Sequence, residues 1–266
     1  MQQISILGCG WLGLPLAKAL LIKGYTVKGS TTSAEKIAVL KNAGIQSYTV
    51  SLHQDHIEGN IAELLQGSDI LIIDIPPKLR KAESENFTAK IQLLIPFIEK
   101  SGIKKVLFVS SVSVYSNSNT TVTEDSPTHP DTESGKQLLE TEKLLQNNTY
   151  FKIAVVRFAG LIGNGRHPVH YLAGKENLPD PNAPVNLIHL EDCIGIITQI
   201  LQKQAWGETF NAASPQHPAR LEYYTEKAKK MGLPAPTFTK EENSGGKKIA
   251  SSKVSSLLDY TFIKGI

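Results

Sequence analysis

Three glycines suggest the first chemistry in this chain. Gly8, Gly10 and Gly13 stand as G-x-G-x-x-G in ILGCGWLG, directly after an apolar run and at the start of a helical pattern. The first glycine permits a tight turn, the second lets a pyrophosphate approach the backbone, and the third lets helix pack on strand. The helix behind them offers free N–H groups and a partial positive charge to the phosphates. Trp11 and Leu12 lie within the same turn, so residues 8–13 are expected to hold a dinucleotide. A second set of groups carries hydroxyls. VLFVSSVSVYSNS, residues 106–118, runs from an apolar strand into Ser110, Ser111, Ser113 and Tyr115. These are either a strand's wet end or groups that orient a substrate oxygen and pass protons.

The second strand ends VKGSTTSAEK. A NAD-preferring site has Asp or Glu at that strand end to hold the ribose 2′-hydroxyl, and none is there. Ser30, Thr31 and Thr32 offer hydroxyls to a 2′-phosphate, with Lys36 as a countercharge one turn further on. This favours NADP over NAD. The alternative is that Ser33 caps the next helix and the threonines are solvated, which leaves the choice open. DILIIDIPP ends in two prolines that cannot continue a ladder. Ile75, Pro76 and Pro77 then either wall the cofactor or only end a strand.

Positioning such groups needs a scaffold of alternating elements, and the chain has one. ISILG, helix 11–23, YTVKG, helix 33–43, IQSYTV, a polar segment to Gly67 and DILIIDI follow in order. An amphipathic segment from about residue 84 to 100, KKVLFVSS, a polar loop, helix 134–147 and FKIAVVRF continue the rhythm. Strands that read as continuous apolar runs lie inside parallel sheets covered on both faces. The expected fold is α/β, a Rossmann doubly wound parallel sheet with ligands at its C-terminal edge. Beyond Arg157 glycines and prolines accumulate, and a loop-rich lobe is expected. It is followed by a helix at 190–203, the strand ETFNAA, a helix at 219–231 and a polar tail. Residues 1–160 are assigned to the Rossmann domain and 161–266 mainly to a small substrate lobe, with 186–212 returning to the sheet.

Bulk properties narrow the partners. The 266 residues are 41% hydrophobic and 20% charged, enough to bury a core and without low-complexity runs. The formal charge is +3, but Lys and Arg are interspersed with acids, which favours small anionic ligands over nucleic acid. Cys9 and Cys193 are far apart in apolar segments. That argues against a disulfide framework and for a reducing cytoplasm. The apolar N-terminus lacks a basic leader and reads as strand then helix. No apolar run reaches membrane-spanning length, so a membrane partner is not expected. His53/His56 and His167/His170 lack clustered Cys or carboxylate partners, and no metal is expected.

Several segments together resemble the extended short-chain dehydrogenase/reductase family, the NAD-dependent epimerases/dehydratases. They are ILGCGWLG, VLFVSSVSVY followed by EDSP and Pro130, AVVRFAGLIGNGR and VNLIHLEDC. GCGWLGLPLA, GNGRHP, LAGKENLP and VNLIHLEDCIG look more closely like an atypical branch, the YeeZ-like proteins. The resemblance implies a cofactor, NAD(P), and a small-molecule substrate bearing a reacting oxygen, such as a sugar nucleotide. It matches Ser111 to the residue that holds that oxygen. It places Ser110, Arg157, Ala159 and Gly160 beside the cofactor, and Arg166, His167 and His189 toward the substrate, with a solvated loop arginine as the alternative for Arg166; Tyr171, in the loop-rich lobe, is a further candidate to line the substrate site. Homodimers built through helices near residues 84–100 and 134–147 are common in the family.

The chain departs from that pattern in one respect. The family's tyrosine and lysine stand four residues apart on the helix after the fifth strand, and aligning TESGKQLLETE by its glycine puts Ser134 and Leu138 there. Serine without a base is a poor proton donor, and leucine cannot lower another group's pKa. Tyr115 becomes the nearest proton donor in sequence. Tyr171/Lys175, Tyr223/Lys227 and Tyr260/Lys264 repeat the Y-x-x-x-K spacing elsewhere, but none is on that helix. His189 and Asp192 either meet a ligand or serve the entry of a helix, whose dipole favours the nearby acids. Two functional readings follow: an epimerase/dehydratase-like oxidoreductase, and an NADP(H)-binding sensor without turnover.

Overall fold

The computed structural model describes residues 2–79, 85–240 and 245–266. The first half of the chain alternates β1 (Gln3–Leu7), α1 (Gly13–Ile22), β2 (Thr26–Thr31), α2 (Lys36–Asn42) and β3 (Gln46–Leu52). It continues through β4 (Ile57–Gly59), α3 (Ile61–Leu65), β5 (Ile70–Ile73), α4 (Phe87–Ser101) and β6 (Lys105–Ser111). A 3-10 turn at Val112–Val114, β7 (Thr121–Val122), α5 (Glu133–Gln146), β8 (Lys152–Phe158), β9 (Gly160–Ile162) and α6 (Val169–Leu172) follow. The chain ends with β10 (Leu187–His189), α7 (Leu190–Lys203), β11 (Thr209–Ala212), α8 (Arg220–Lys230), β12 (Lys248–Ile249) and α9 (Ser252–Leu258).

Eight strands form one sheet in the order β11-β8-β6-β5-β1-β2-β3-β4, parallel except for β4. The winding direction reverses between β1 and β5, which makes that gap the switch point where such sheets bind ligands. β5 (ILII) is buried along its whole length, as the apolar-run argument requires of a strand covered on both faces. The core on both sides of the sheet includes Leu16 and Leu20 of α1, Ile91 and Leu94 of α4, and Ile196 and Ile200 of α7. Two smaller parallel pairs, β10 with β9 and β12 with β7, lie outside the sheet. A second apolar cluster joins Val169 and Ile162 to Tyr223, Tyr224 and Ala228 of α8.

Local chemistry sets several boundaries. Asn86 caps α4 by accepting from the Ala89 N–H at 2.9 Å, so the helix begins at Phe87; residue 84 lies outside the described residues. Thr132 caps α5 by accepting from the Gly135 N–H at 3.1 Å. α2 starts at Lys36, later than the periodicity predicts, and no side chain caps it; the N–H of Ser33 instead donates to Thr31 Oγ1 at 3.2 Å. The segment before Gly67, read as polar, contains β4 and α3. Ile61, Leu64 and Leu65 are too few to give a periodic signal, yet all three are buried. Lys28 of β2 caps α3 at its C-terminal end, its Nζ donating to the carbonyls of Glu63 at 2.9 Å and Gln66 at 2.7 Å. The polar tail likewise hides β12 and α9, which bury Ile249, Val254 and Leu258 among serines and lysines.

Candidate cofactor and substrate site

The glycine turn lies at the switch point, and its three glycines are required for different reasons. Gly8 has φ +107°, and a Cβ there would stand 2.3 Å from the Asp74 carbonyl oxygen. A Cβ on Gly13 would stand 2.2 Å from the Gly8 carbonyl oxygen. At Gly10 it would meet nothing within 4 Å. Contacts inside the protein thus impose the outer two, while the middle one faces open space. The first N–H groups of a helix have no intrahelical partner, and no side chain caps α1 at Leu12. Ser30 braces the turn, its hydroxyl accepting from the Gly8 N–H at 3.0 Å and its carbonyl from the Cys9 N–H at 2.7 Å. Thr31 is buried, whereas Thr32 and Lys36 are exposed at the end of β2 and the start of α2.

Asp74, at the end of β5, is a residue that sequence reasoning missed. Its carboxyl sits against the start of α1, with Oδ2 3.0 Å from where a Gly13 Cβ would be. Burial pushes its pKa up to about 8, against the lowering pull of the Gly13 N–H and of Arg166. The only hint in DILIIDIPP was an acid at a strand's C-terminal edge. Ile75 packs under the turn through its Cγ2, while Pro76 is exposed and Pro77 half-buried.

The hydroxyls at the end of β6 divide between the two faces of the sheet. Ser110 pairs in register with Arg157, and Arg157 with Asn211, so these three point to one side. There the Arg157 guanidinium grips Glu142 of α5, with Nε 3.1 Å from both carboxylate oxygens and Nη2 2.6 Å from Oε2. Ser110 donates to Glu142 Oε1 at 2.6 Å. Arg157 Nη1 donates to the Tyr115 hydroxyl at 2.5 Å, and that hydroxyl donates to Asn211 Oδ1 at 2.9 Å. Glu142 and Asn211 are fully buried and Tyr115 is 2% exposed. Burial pushes the Tyr115 phenol above its ordinary pKa range, against the lowering pull of Arg157 and Asn211.

Ser111 behaves differently. It is partly exposed, and its Oγ accepts from the Ser113 N–H at 3.2 Å, which leaves the hydroxyl hydrogen to donate. α5 is seated directly on this turn, since a Cβ on Gly135 would stand 2.2 Å from the Ser113 carbonyl oxygen. Ser134 is half-buried beside it, and Leu138 is 3% exposed within the core. Lys247, also missed from sequence, reaches the same turn from the tail, and its ammonium donates to the Tyr115 carbonyl. Its segment is tied down by Asn186, whose Nδ2 donates to the Lys247 carbonyl at 2.7 Å and whose Oδ1 accepts from the Ile249 N–H at 2.9 Å. Burial lowers the Lys247 pKa, against the opposing field of Asp131.

With the turn and its hydroxyls in place, the chain can be set beside known proteins. No family model matches it. It is 36% identical over 264 residues to Protein YeeZ of Escherichia coli K12, covering 98% of this chain and 96% of that protein. The chain belongs to the YeeZ family. Its fold is that of the extended short-chain dehydrogenases/reductases. UDP-N-acetylglucosamine 4-epimerase from Bacillus cereus superposes with a TM-score of 0.80 at 17% identity, covering 100% of this chain and 92% of that one. UDP-glucuronic acid 4-epimerase from the same organism, in complex with NAD, gives 0.80 at 21% identity, covering 99% and 94%.

In the lobe of this YeeZ-family chain the predicted substrate residues have separate duties. Arg166 is exposed and stacks on Trp11, its guanidinium carbon 5.0 Å from the ring centroid, so it stands against the glycine turn. His167 Nδ1 accepts from the Val169 N–H at 3.1 Å, which leaves Nε2–H to donate to the Tyr223 hydroxyl at 2.9 Å. Burial, aided by Lys227 and His170, holds the His167 pKa down at about 4. Tyr171 is 75% exposed and, with Asn164, Arg166 and His170, lines an open depression of ≈ 430 Å³. His189 caps α7, its Nδ1 accepting from the Glu191 N–H at 3.2 Å, and its ring packs against Gly163. Asp192 is fully buried and accepts from the Tyr260 hydroxyl and the Ile263 N–H, each at 2.8 Å, so it anchors the tail. The Tyr223 and Tyr260 phenols are therefore engaged with His167 and Asp192. Gly160 and Ala159 continue from β8, with the Gly160 N–H donating to the Asn186 carbonyl at 3.1 Å.

Among the described residues the remaining titratable groups do not assemble into a further centre. The His53 and His56 rings stack at 4.5 Å, and each meets a carboxylate, Glu85 and Asp55 respectively. Among the described residues no group of three or more His, Cys, Asp or Glu could hold a metal. Cys9 and Cys193 are separate buried thiols; burial and Asp74 push Cys9 up to about 12. No helix among the described residues is long and apolar enough to cross a membrane.

Proposed function

We propose that this protein binds a nicotinamide dinucleotide, NADP(H) in preference to NAD(H), along the glycine turn, and acts as an epimerase/dehydratase-like oxidoreductase on a small oxygen-bearing substrate. The observation that carries the reading is Gly10, which faces open space between two glycines fixed by internal contacts. The cofactor, when bound, supplies the hydride chemistry; the protein supplies binding, orientation and proton traffic. Thr32 and Lys36, exposed where an acid would reject a 2′-phosphate, support NADP(H). Ser111 is the substrate-orienting residue, because its hydroxyl keeps a hydrogen to donate to a carbonyl or alcohol oxygen. Tyr115 is a positioning residue that holds the hydroxyl turn against the Arg157–Glu142 pair. Lys247 brings a positive charge to that turn, where Leu138 brings none. A sugar nucleotide is the substrate class suggested by the Bacillus cereus epimerases that share the fold, with the depression beside Tyr171 and His170 as one wall.

A second reading is supported by a specific observation: the Tyr115 phenol is fully engaged, and Leu138, which aligns with the family's lysine, is a buried core residue. In that reading the protein binds NADP(H) without turning it over, and closure of the lobe signals to a partner. Calorimetric titration with NADP⁺ and NAD⁺, followed by a turnover screen against carbonyl compounds and sugar nucleotides, separates the two. Turnover that is lost in Ser111→Ala supports the enzyme. Binding with no consumption across the panel supports the sensor, and absence of binding to either dinucleotide overturns both.

A further inference from the structure

The sequence GNGR forms a device of its own. Gly163 and Arg166 exchange both backbone hydrogen bonds at 2.9 Å, and Asn164 and Gly165 between them have φ +45° and +75°. Positive φ at both central residues is the type I′ hairpin turn, which Asn-Gly suits. The turn is held to the lobe by the adjacent His167, hydrogen-bonded to Tyr223 of α8. Arg166 is therefore presented on a rigid corner, and it points back across the cleft at the glycine turn of the Rossmann half.

Three features meet there. The guanidinium stacks on the Trp11 ring, is exposed, and among the described residues makes no ion pair and no side-chain hydrogen bond. The field of the Asp74 carboxyl reaches it without contact. Trp11 Nε1–H is buried with no partner, although a buried indole N–H normally finds one. Gly10, next to Trp11, opens onto unfilled space. A planar fork of unused donors, seated on the Trp11 ring, stands beside the bare backbone of Gly10, an arrangement suited to a multiply charged oxyanion.

We infer that Arg166 and Trp11 form a side-chain clasp on the cofactor's pyrophosphate, so that the lobe helps hold the dinucleotide as well as the substrate. The inference rests on the dinucleotide reading above and assigns Arg166 to the cofactor. Stacking on Trp11 holds the fork in place before the ligand arrives, which reduces the ordering cost of binding. Dinucleotide binding then ties the GNGR corner to α1 and draws the two halves of the cleft together.

The chain has two tryptophans, so Trp206→Phe leaves Trp11 as the sole indole reporter. In that background NADP⁺ is expected to change Trp11 emission, and calorimetry supplies the Kd. Arg166→Met, at an exposed position that leaves the fold intact, is expected to weaken NADP⁺ by roughly 10- to 100-fold, the range for losing a charge-assisted pair. Arg166→Lys should fall between. Binding of 2′-AMP, which lacks the pyrophosphate, should be the same in all three proteins. Gly165→Val, which strains the φ +75° corner without removing the arginine, should weaken NADP⁺ in the same direction. NADP⁺ affinity within twofold of the parent in Arg166→Met overturns the clasp and leaves the dinucleotide reading standing. Failure of the parent to bind NADP⁺ or NAD⁺ overturns both.

Discussion

Asp74→Asn probes the least expected group in the site. The native carboxyl holds its proton until about pH 8, because burial against the start of α1 outweighs the Gly13 N–H and Arg166. In the unfolded chain the same group ionises near ~3.9. Between these values the native state binds a proton that the unfolded state has released, so stability falls as pH rises from about 4 to 8 and stays low above it. The full shift corresponds to an upper limit of about 6 kcal/mol. Relaxation and water penetration reduce such penalties, and about 2–3 kcal/mol is expected. An asparagine keeps an oxygen for the Gly13 N–H and carries no charge. Melting curves at or below about pH 3.5, where both folded and unfolded carboxyls are protonated, should therefore nearly coincide. At pH 8.5 the variant should melt higher by roughly 5–10 °C, taking about 2–4 °C per kcal/mol for a chain of this size. Parallel loss of stability in the two proteins from pH 5 to 9 would refute the reasoning. The same carboxylate, once ionised, opposes a pyrophosphate, so NADP⁺ affinity should decline above pH 8 in the parent and stay level in the variant.

Gly10→Val should melt within about 2 °C of the parent, since nothing in the protein meets its side chain, yet lose dinucleotide binding by calorimetry; retained affinity would remove the main support for the cofactor site. Arg157→Met strands the buried Glu142 carboxylate and should cost about 3–5 kcal/mol in urea unfolding, while Arg157→Met with Glu142→Leu should recover most of it. A single variant that loses less than 1 kcal/mol would mean the pair is not desolvated as the structure indicates. Tyr115→Phe leaves Arg157 Nη1 and Asn211 Oδ1 short of a partner and should cost about 1–3 kcal/mol while sparing turnover; loss of kcat with unchanged stability would return the phenol to the chemistry. Lys28→Met removes the ammonium that caps α3 and should speed hydrogen exchange in residues 61–66 ahead of the rest of the sheet.

Much of this protein was legible without coordinates, because the relevant signals are local. Three glycines at fixed spacing after a strand and continuous apolar runs four to seven residues long each act within one turn or one strand of chain. They were enough to specify a doubly wound sheet and the place where a dinucleotide would approach it. Even the misjudged segments had a local cause. α3 and α9 bury only two or three apolar residues each, too few for periodicity to register against a polar background.

What only the tertiary structure decided depends on groups distant in sequence and close in space. Ser110 and Ser111 are neighbours of one type, yet the alternation of a strand sends the first to the Glu142 and Arg157 pair and leaves the second partly exposed on the other face. Arg166 is a loop arginine by sequence, and only the GNGR corner sets its guanidinium on the Trp11 ring. Asp74 looked like the end of a strand until the switch point put its carboxyl under a helix start. In each case the residue's identity was plain and its charge, protonation and free hydrogens were not. Those properties are set by desolvation and by partners that the sheet order brings together, and no spacing along the chain encodes them.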